Sequence, residues 1–311
     1  MKNHFTSALH VLVVVVLVVA SLVACGGGNS YEERRRMGKV ERARLDSINR
    51  AAFKVAVLPT LDCLPLFVAR EAGIFDTLGV SVRLRMFRAQ MDCDTAVIGG
   101  SVEGTVTDLV RAERLQRQGI SLRYPIATDA YWQLITNRLA RIKELKQLSD
   151  KMIAITRYSA TEALATMAID SVKPKYDVYR VQINDLDVRL HMLLNNEMDA
   201  MLLPEPQATT ARTMGHPVLM DSRDKQLRFG VFAFRSRELT RPRRRDQLNR
   251  FIKGYNMAVD SINKNGLQHY AALVGKYCNA NEKTLKALPV LRFRHAAAPR
   301  ERDILIARKY L

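Results

Sequence analysis

The sequence predicts an α/β fold of two successive lobes, each a mostly parallel sheet flanked by helices, followed by a helical C-terminal tail. Short runs of apolar or alternating residues are followed by segments in which apolar residues recur at helical spacing, and this order occurs twice along the chain. Helices between short strands favour parallel sheets covered on both faces. The roughly 260 residues after position 50 are enough for two cores of ordinary size.

The first lobe is predicted to comprise residues 51–128 together with the tail, 238–311. Its opening strand, 55–58, leads through a short loop into a helix that begins near Leu64. Pro65 fits the first turn of this helix, because the N–H that proline lacks has no intrahelical partner there. Further strands are predicted over 81–87, 102–110 and 120–127, with helices over 92–98 and 109–118.

The second lobe is predicted over 129–237. Strands are predicted over 131–136, 151–156, 178–183, 199–203, 217–221 and 229–234, with helices over 159–170, 187–197 and 207–215. From about residue 245 the pattern indicates helices interrupted at Pro289 and Pro299, because proline cannot continue a helix. We expect this tail to return and cover the first lobe.

The first 24 residues have the composition of a secretory signal. An apolar run over 11–19 is followed by Leu-Val-Ala-Cys, which is typical of a bacterial lipoprotein signal in which Cys25 is lipidated. An uncleaved N-terminal anchor with an incidental cysteine is the alternative. Residues 25–50 then form a glycine-rich linker and a charged tether, in which 31–50 is predicted to be helical. The chain is therefore expected to be exported and anchored to a bacterial cell membrane, on its periplasmic or outer face.

The formal net charge is +18, and a strongly basic balance often indicates nucleic-acid binding. An exported protein seldom meets nucleic acid, so we expect no such partner. The charge fits attraction to anionic lipid, to an acidic protein or to an anionic solute. A second interpretation is that scattered Lys and Arg side chains only keep the surface solvated.

Three cysteines lie in the body of the chain, at positions 63, 93 and 278. Their spacing matches no zinc site, and neither a metal nor a cofactor is expected. Cys63 and Cys93 both come just after predicted strand ends, and an oxidising compartment permits disulfides. If the two strands are neighbours, a Cys63–Cys93 bridge is possible; two buried free thiols are the alternative.

Three segments of the chain have a recognisable pattern. They are Ala-Arg-Glu-Ala-Gly-Ile-Phe at 69–75 with Leu-Gly-Val-Ser-Val at 78–82, the stretch 145–154, and Met-Asp-Ala-Met-Leu-Leu-Pro-Glu-Pro at 198–206. In this order they resemble solute-binding proteins of ABC importers, of the nitrate/sulfonate/taurine and thiamine-precursor type. The resemblance spans roughly 54–234. It implies a type 2 periplasmic-binding-protein fold, in which two lobes are joined by two crossing segments and the ligand binds between them. Departures from the family pattern at 149–150 and at Asn196 leave the substrate open.

The resemblance also implies where the ligand-binding residues lie, namely in the loops at the strand ends. They are Thr60, Asp62, Cys63, Leu64, Thr107, Asp108, Trp132, Arg157, Tyr158, Ser159, Thr161 and Glu205, with Pro204 beside the last. The carboxylates of Asp62, Asp108 and Glu205 would accept hydrogen bonds from an amine, amidine or ring N–H. The guanidinium of Arg157 would bind a carboxylate, sulfonate or phosphate through two parallel hydrogen bonds.

Two of these assignments have structural alternatives. Residues 159–162 match the S-x-x-E capping box, so one interpretation of Ser159 is a helix cap, and the same helix end still offers free N–H groups to a ligand. Trp132, the only tryptophan, either stacks on a flat ligand or packs in the core or hinge.

The sequence therefore predicts a monomeric, lipid-anchored protein that captures a small polar, anionic or heterocyclic solute and delivers it to an ABC permease. No nucleophile, base and orienting group occur together, so no catalytic residue is assigned and no enzyme activity is expected. One alternative is an enzyme on the same scaffold, resembling chorismate dehydratases or pyrimidine synthases, although the cysteine-rich iron motif of the latter is absent. Another is an exported ligand sensor.

Overall fold

The computed structural model describes residues 31–311, and describes side chains from residue 38 onward. The predicted signal peptide and Cys25 lie outside the described residues. Helix α1, Tyr31–Ala51, belongs to one compact unit, and 52–311 form another. Side chains 38–50 of α1 are exposed, as expected for a charged helix. In the described part of the chain, no helix is both long enough and apolar enough to cross a membrane.

The body contains ten strands in the described residues, which alternate with helices through most of its length. The strands are β1 Phe53–Val57, β2 Val82–Met86, β3 Gly104–Asp108, β4 Leu122–Ala127, β5 Gln133–Thr136, β6 Met152–Ile155, β7 Tyr179–Gln182, β8 Ala200–Leu203, β9 Val218–Asp221 and β10 Gly230–Arg235. The helices up to the second crossing are α2 Leu64–Glu71, α3 Ile74–Thr77, α4 Gln90–Ile98, α5 Leu109–Arg117, α6 Ala160–Val172, α7 Leu186–Leu194 and α8 Gln207–Thr213. The later helices are α9 Ser236–Leu239, α10 Pro242–Asn265, α11 Ala271–Cys278, α12 Glu282–Lys286 and α13 Glu301–Arg308.

The strands form two five-stranded sheets, one in each lobe. Their orders are β2-β1-β3-β10-β4 and β7-β6-β8-β5-β9. Within each sheet four strands point the same way, and only β10 or β5 runs antiparallel to its neighbours. The prediction of two mostly parallel sheets is therefore confirmed.

The antiparallel strand of each sheet is the one that enters the lobe from the other lobe. β5 follows the first crossing of the chain, and β10 follows the second. Each therefore begins at the sheet edge where the parallel strands end. A strand that starts at this edge has to run opposite to strands that finish there, which explains the single reversal in each sheet.

The predicted lobe boundary at 237 is wrong, because β10 pairs with β3 and β4 of the first sheet. The chain therefore returns to the first lobe before Gly230. At this point the two crossing segments are in contact, since a Cβ on Gly230 would lie 2.2 Å from Thr128 Oγ1 and 2.6 Å from Ala130 Cβ. In the sequence, the apolar run 229–234 follows the predicted strand 217–221. No local feature of the run indicates which of the two sheets it joins.

An aromatic cluster attaches the C-terminal tail to the first sheet. The ring of Phe251, on α10, lies 5.6 Å from the rings of Phe53, Phe75 and Phe234. All four side chains are buried. Offset and edge-on ring pairs at this spacing stabilise a core beyond the area they bury. Helix α10 thereby covers the first lobe.

We expect the substitution Phe251→Ala to lower the free energy of unfolding by about 3–5 kcal/mol, because it removes a fully buried ring and leaves a cavity. The control is Met257→Ala on the same helix, where the side chain is 40% exposed and the loss should stay below about 1 kcal/mol. Urea unfolding of the full chain measures both. Equal losses would mean that the cluster does not secure the tail.

Candidate functional site

A cavity lies between the two sheets, where the strand ends of both lobes meet. Its empty volume is about 540 Å³, open mouth included. The lining residues come from the end of β3, from the segments after β1, β6, β7 and β8, from the first crossing, and from α4, α6 and α7. They are Leu58, Thr60, Asp62, Gln90, Val106, Thr107, Asp108, Ala130, Trp132, Thr156, Ser159, Thr161, Asn184, Leu186, Arg189 and Pro204. We call this cavity the cleft.

Many of the residues predicted to bind ligand line the cleft. They are Thr60, Asp62, Thr107, Asp108, Trp132, Ser159 and Thr161. Sequence reasoning did not assign the others to the ligand site, namely Leu58, Gln90, Val106, Ala130, Thr156, Asn184, Leu186 and Arg189. Val106 and Thr156 are next to predicted residues in the sequence, whereas Gln90, Leu186 and Arg189 lie on α4 and α7.

Two carboxyl groups in the cleft have raised pKa values. Burial raises the pKa of Asp108 to about 7, although its neighbour Arg111 opposes the shift. Burial also raises the pKa of Asp62, whose Oδ2 accepts a hydrogen bond from Thr128 Oγ1 at 3.0 Å. Asp108 caps α5 by accepting the Arg111 backbone N–H at 3.1 Å. A buried carboxyl group whose pKa lies near 7 can accept a hydrogen bond from a ligand when it is ionised, and can donate one when it is protonated.

Arg189 places a buried positive charge at the cleft. Its side chain is 1% exposed, and it donates to the carbonyl oxygens of Ile183 and Leu202 and to Thr156 Oγ1. No carboxylate among the described side chains forms an ion pair with it, and burial lowers its pKa to about 10. A charge buried without a counter-ion is costly, and an acidic group on a ligand would neutralise it.

A sequence signal for Arg189 existed. Leu186, Leu190 and Leu193 recur at the spacing of one apolar helix face, and Arg189 falls on that same face. An arginine in an apolar stripe needs buried partners, so the position was open to interpretation as a functional site.

The other polar groups of the cleft differ in how fully they are satisfied. Ser159 caps α6 and accepts the Thr161 N–H at 3.1 Å, while its own hydroxyl donates to Thr156 O at 2.6 Å. The helix-cap interpretation of Ser159 is therefore confirmed. Glu162, the acidic residue of the predicted capping box, accepts the backbone N–H of Tyr158 at 2.5 Å. By contrast, Thr107 Oγ1 is buried and has no hydrogen-bond partner among the described residues, which leaves it free to bind a ligand.

Cys63 and Leu64 do not line the cleft, although both were predicted to contact ligand. They lie at the start of α2 with their side chains fully buried in the core of the first lobe. The possible bridge between Cys63 and Cys93 is not formed, since both are buried free thiols. The Cys63 sulfur instead accepts a hydrogen bond from Thr60 Oγ1 at 3.7 Å, and burial raises the pKa of both thiols.

Glu205 was predicted to accept hydrogen bonds from the ligand, but its carboxylate is fully engaged within the protein. One oxygen accepts from Tyr131 OH at 2.9 Å and pairs with Arg212 at 2.9 Å. The other accepts from Thr209 N and Oγ1 at 3.0 and 2.6 Å. Glu205 therefore joins the first crossing to the N-terminal turn of α8.

Arg157 and Tyr158, also predicted in the cleft, line a different cavity with Arg111 and Arg114. The reason is the sharp turn after β6, in which Tyr158 has a left-handed backbone with φ of 56°. This turn sends Ser159 and Thr161 into the cleft and directs the two preceding side chains away from it.

Direct contacts hold the two lobes together around the cleft. Leu61 N donates to Glu205 O at 2.9 Å, Gln207 Nε2 donates to Pro59 O at 2.9 Å, and Arg111 Nη1 donates to Arg157 O at 2.8 Å. Each bond joins a residue of the first lobe to one of the second. The structure is therefore a closed form. Among the described residues, no group of three or more His, Cys, Asp and Glu side chains is arranged to hold a metal ion.

The chain is similar to solved structures of proteins that bind solutes for import. The ligand-binding component of an ABC-type import system from Staphylococcus aureus, solved with zinc bound, matches with a TM-score of 0.68 and 14% identity, over 83% of this chain and 91% of that one. The alkanesulfonate-binding protein SsuA from Xanthomonas axonopodis pv. citri, bound to MOPS, matches with 0.67 and 14%, over 83% and 90%. The periplasmic nitrate-binding protein NrtA from Synechocystis PCC 6803 matches with 0.65 and 10%, over 75% and 68%.

No family model matches the sequence, and no curated protein matches it. The likeness to solved structures therefore concerns the fold. Two helix-flanked sheets, two crossings and a cleft between the lobes define the periplasmic-binding-protein-like fold. The predicted fold class is confirmed.

The raised pKa of Asp108 predicts a pH dependence of stability. Its carboxyl binds a proton more tightly in the folded chain, where its pKa is about 7, than in the unfolded chain, where it is about 3.8. Its contribution to stability is therefore greatest below pH 4 and is lost as pH rises through 7. Relative to Asp108→Asn, which keeps a good helix cap, the wild-type chain should lose about 2–3 kcal/mol between pH 5 and pH 8.

Urea unfolding of both full-length chains at the two pH values measures this difference. Other titrating groups are common to the two chains and cancel. Parallel pH profiles would contradict a raised pKa at Asp108.

Proposed function

We propose that the protein is an exported solute-binding protein that closes its two lobes on a small polar or anionic molecule and delivers it to an ABC permease. The observation that supports this most directly is the cleft itself. It is buried between two lobes and lined by polar groups from both, including the unpartnered Thr107 hydroxyl and the Arg189 charge. A bound solute could form hydrogen bonds and an ion pair with these groups that the described residues do not form themselves.

The mechanism we propose is a population shift between open and closed forms. Thr60, Asp62, Thr107 and Asp108 belong to the first lobe, whereas the 156–161 loop and Arg189 belong to the second. A solute that contacts both sets does so only when the lobes are closed, so its binding energy favours the closed form. The two crossing segments, near Ala130 and before Gly230, would act as the hinge.

The character of the cleft supports a solute with both an acidic group and hydrogen-bonding donors. Arg189 and the N-terminal turn of α6 favour negative charge, while Asp62 and Asp108 accept hydrogen bonds. Trp132 offers an aromatic face at one wall. A zwitterionic or heterocyclic solute fits this combination as well as a plain anion. The roles of these residues are part of the proposal.

The proposal also includes export and anchoring through a lipid on Cys25, with 25–50 as a tether and monomeric action. The lipoprotein-like signal in the sequence supports it. The named solved structures of similar fold are binding proteins, which favours binding over catalysis.

Because Trp132 is the only tryptophan and lines the cleft, intrinsic fluorescence should report solute binding directly. We expect a saturable change on titrating the full-length chain, in detergent, with alkanesulfonates, nitrate, amino acids and aminopyrimidines. Thermal unfolding should shift upward with the same solute by mass action. The substitution Trp132→Phe should abolish the fluorescence change while retaining a thermal shift.

The matched cleft variant is Thr107→Val, which keeps the side-chain shape and removes the hydroxyl. It should weaken binding about fivefold to tenfold, as expected for one lost hydrogen bond. Conversion of the solute to a product, or binding unaffected by every cleft substitution, would contradict the proposed function.

A further inference from the structure

A second cavity lies between the lobes and shares no lining residue with the cleft. Its empty volume is about 840 Å³, open mouth included. The lining residues are Met91, Asp94, Thr95, Ile98, Arg111, Arg114, Leu115, Gln118, Arg157, Tyr158 and Gln182. The first eight belong to the first lobe, seven of them on α4 and α5 and Gln118 at the C-terminal end of α5, and the last three belong to the second lobe. We call this cavity the outer pocket.

Arg111 lines the outer pocket and is hydrogen-bonded to a residue of the cleft. Its guanidinium pairs with Asp94 Oδ2 and also donates from Nη1 to Arg157 O across the lobes at 2.8 Å. Its backbone N–H donates to the carboxylate of Asp108, which lines the cleft. The two cavities are therefore adjacent and are lined by different residues.

The charge of the outer pocket is positive. Its lining has three arginines and one carboxylate, and Arg111 neutralises that carboxylate. In the described part of the chain, neither the Arg114 nor the Arg157 side chain has an ion-pair partner. The Arg114 guanidinium carbon lies only 3.2 Å from the centre of the Tyr158 ring, and Arg157 is exposed. Two guanidinium groups are therefore available to an anion.

The remaining wall has an apolar part, formed by Met91, Ile98, Leu115 and Tyr158, beside the polar side chains of Thr95, Gln118 and Gln182. Met91, Ile98 and Tyr158 are 43%, 47% and 43% exposed. Exposed apolar side chains that cluster in this way often mark a binding surface. Asp94 Oδ1 is buried, and no described residue forms a hydrogen bond with it. The pocket thus combines two free cations, an apolar surface and an acceptor.

We propose that the outer pocket is a second binding site, for an organic anion with a small apolar or aromatic body. The acidic head group would bind Arg114 and Arg157, and the body would cover Met91, Ile98 and the exposed edge of Tyr158. Arg114 comes from the first lobe and Arg157 from the second, so an occupant contacts both lobes only in the closed form. It therefore stabilises closure from outside the cleft.

The probe for the test is phenyl phosphate, with inorganic phosphate and benzyl alcohol as comparisons, titrated calorimetrically into the full-length chain in detergent. We expect phenyl phosphate to bind at least about tenfold more tightly than either comparison, because only it supplies both charge and apolar area. Arg157→Gln should weaken its binding about tenfold or more, as expected for loss of a charge-assisted contact.

Two variants make the result specific. Arg243→Gln removes the same charge from an exposed position on α10 and should leave phenyl phosphate affinity unchanged. Thr107→Val alters the cleft and should also leave the affinity for phenyl phosphate unchanged.

The proposal is overturned if Arg157→Gln binds phenyl phosphate like the wild-type chain, or if inorganic phosphate binds as tightly as phenyl phosphate. It is also overturned if Thr107→Val removes the binding, which would place the probe in the cleft. None of these results depends on whether the cleft serves transport.

Discussion

The two chain crossings are the constraint on which the rest of the structure depends. Because β5 and β10 start where the other strands end, the strand ends of both sheets face one gap. Residues at or just after the end of a parallel strand, such as Thr107 or Thr60, therefore meet in one cleft with those that precede a crossing strand, such as Trp132. The close approach of the crossings requires glycine at position 230, since a side chain there would collide with Thr128.

The closed lobes bury groups that are costly to keep dry. Arg189 is hydrogen-bonded to backbone oxygens but has no counter-ion among the described residues, and Asp108 has a pKa raised to about 7 by burial. Burial of an ionised group without a partner costs free energy that the rest of the fold has to offset. A solute of suitable charge removes part of this cost, which gives a physical reason for binding to favour closure.

Arg111 links several of these features. It pairs with Asp94, supplies the backbone N–H that Asp108 accepts, and bonds to the second lobe through Arg157 O. A single residue therefore connects the cleft with the outer pocket and also joins the lobes. Charge-assisted hydrogen bonds of this kind are strong when buried. The bonds to Asp94 and to Arg157 O therefore hold the Arg111 side chain in one position. The pairing also neutralises Asp94 and leaves the outer pocket with the net positive charge of Arg114 and Arg157.

The sequence by itself determined the α/β class, the two lobes and most strand positions, because apolar periodicity and turn residues are local properties. It also identified strand-end residues such as Thr107 and Asp108, because parallel strands place their ends at one edge. Tertiary structure alone decided that β10 belongs to the first sheet, since pairing depends on a distant partner. Tertiary structure also decided that the Glu205 carboxylate forms its hydrogen bonds within the protein and that Arg157 lines the outer pocket. The direction of a side chain after a turn, and the partners that satisfy it, depend on what the second lobe brings across the gap.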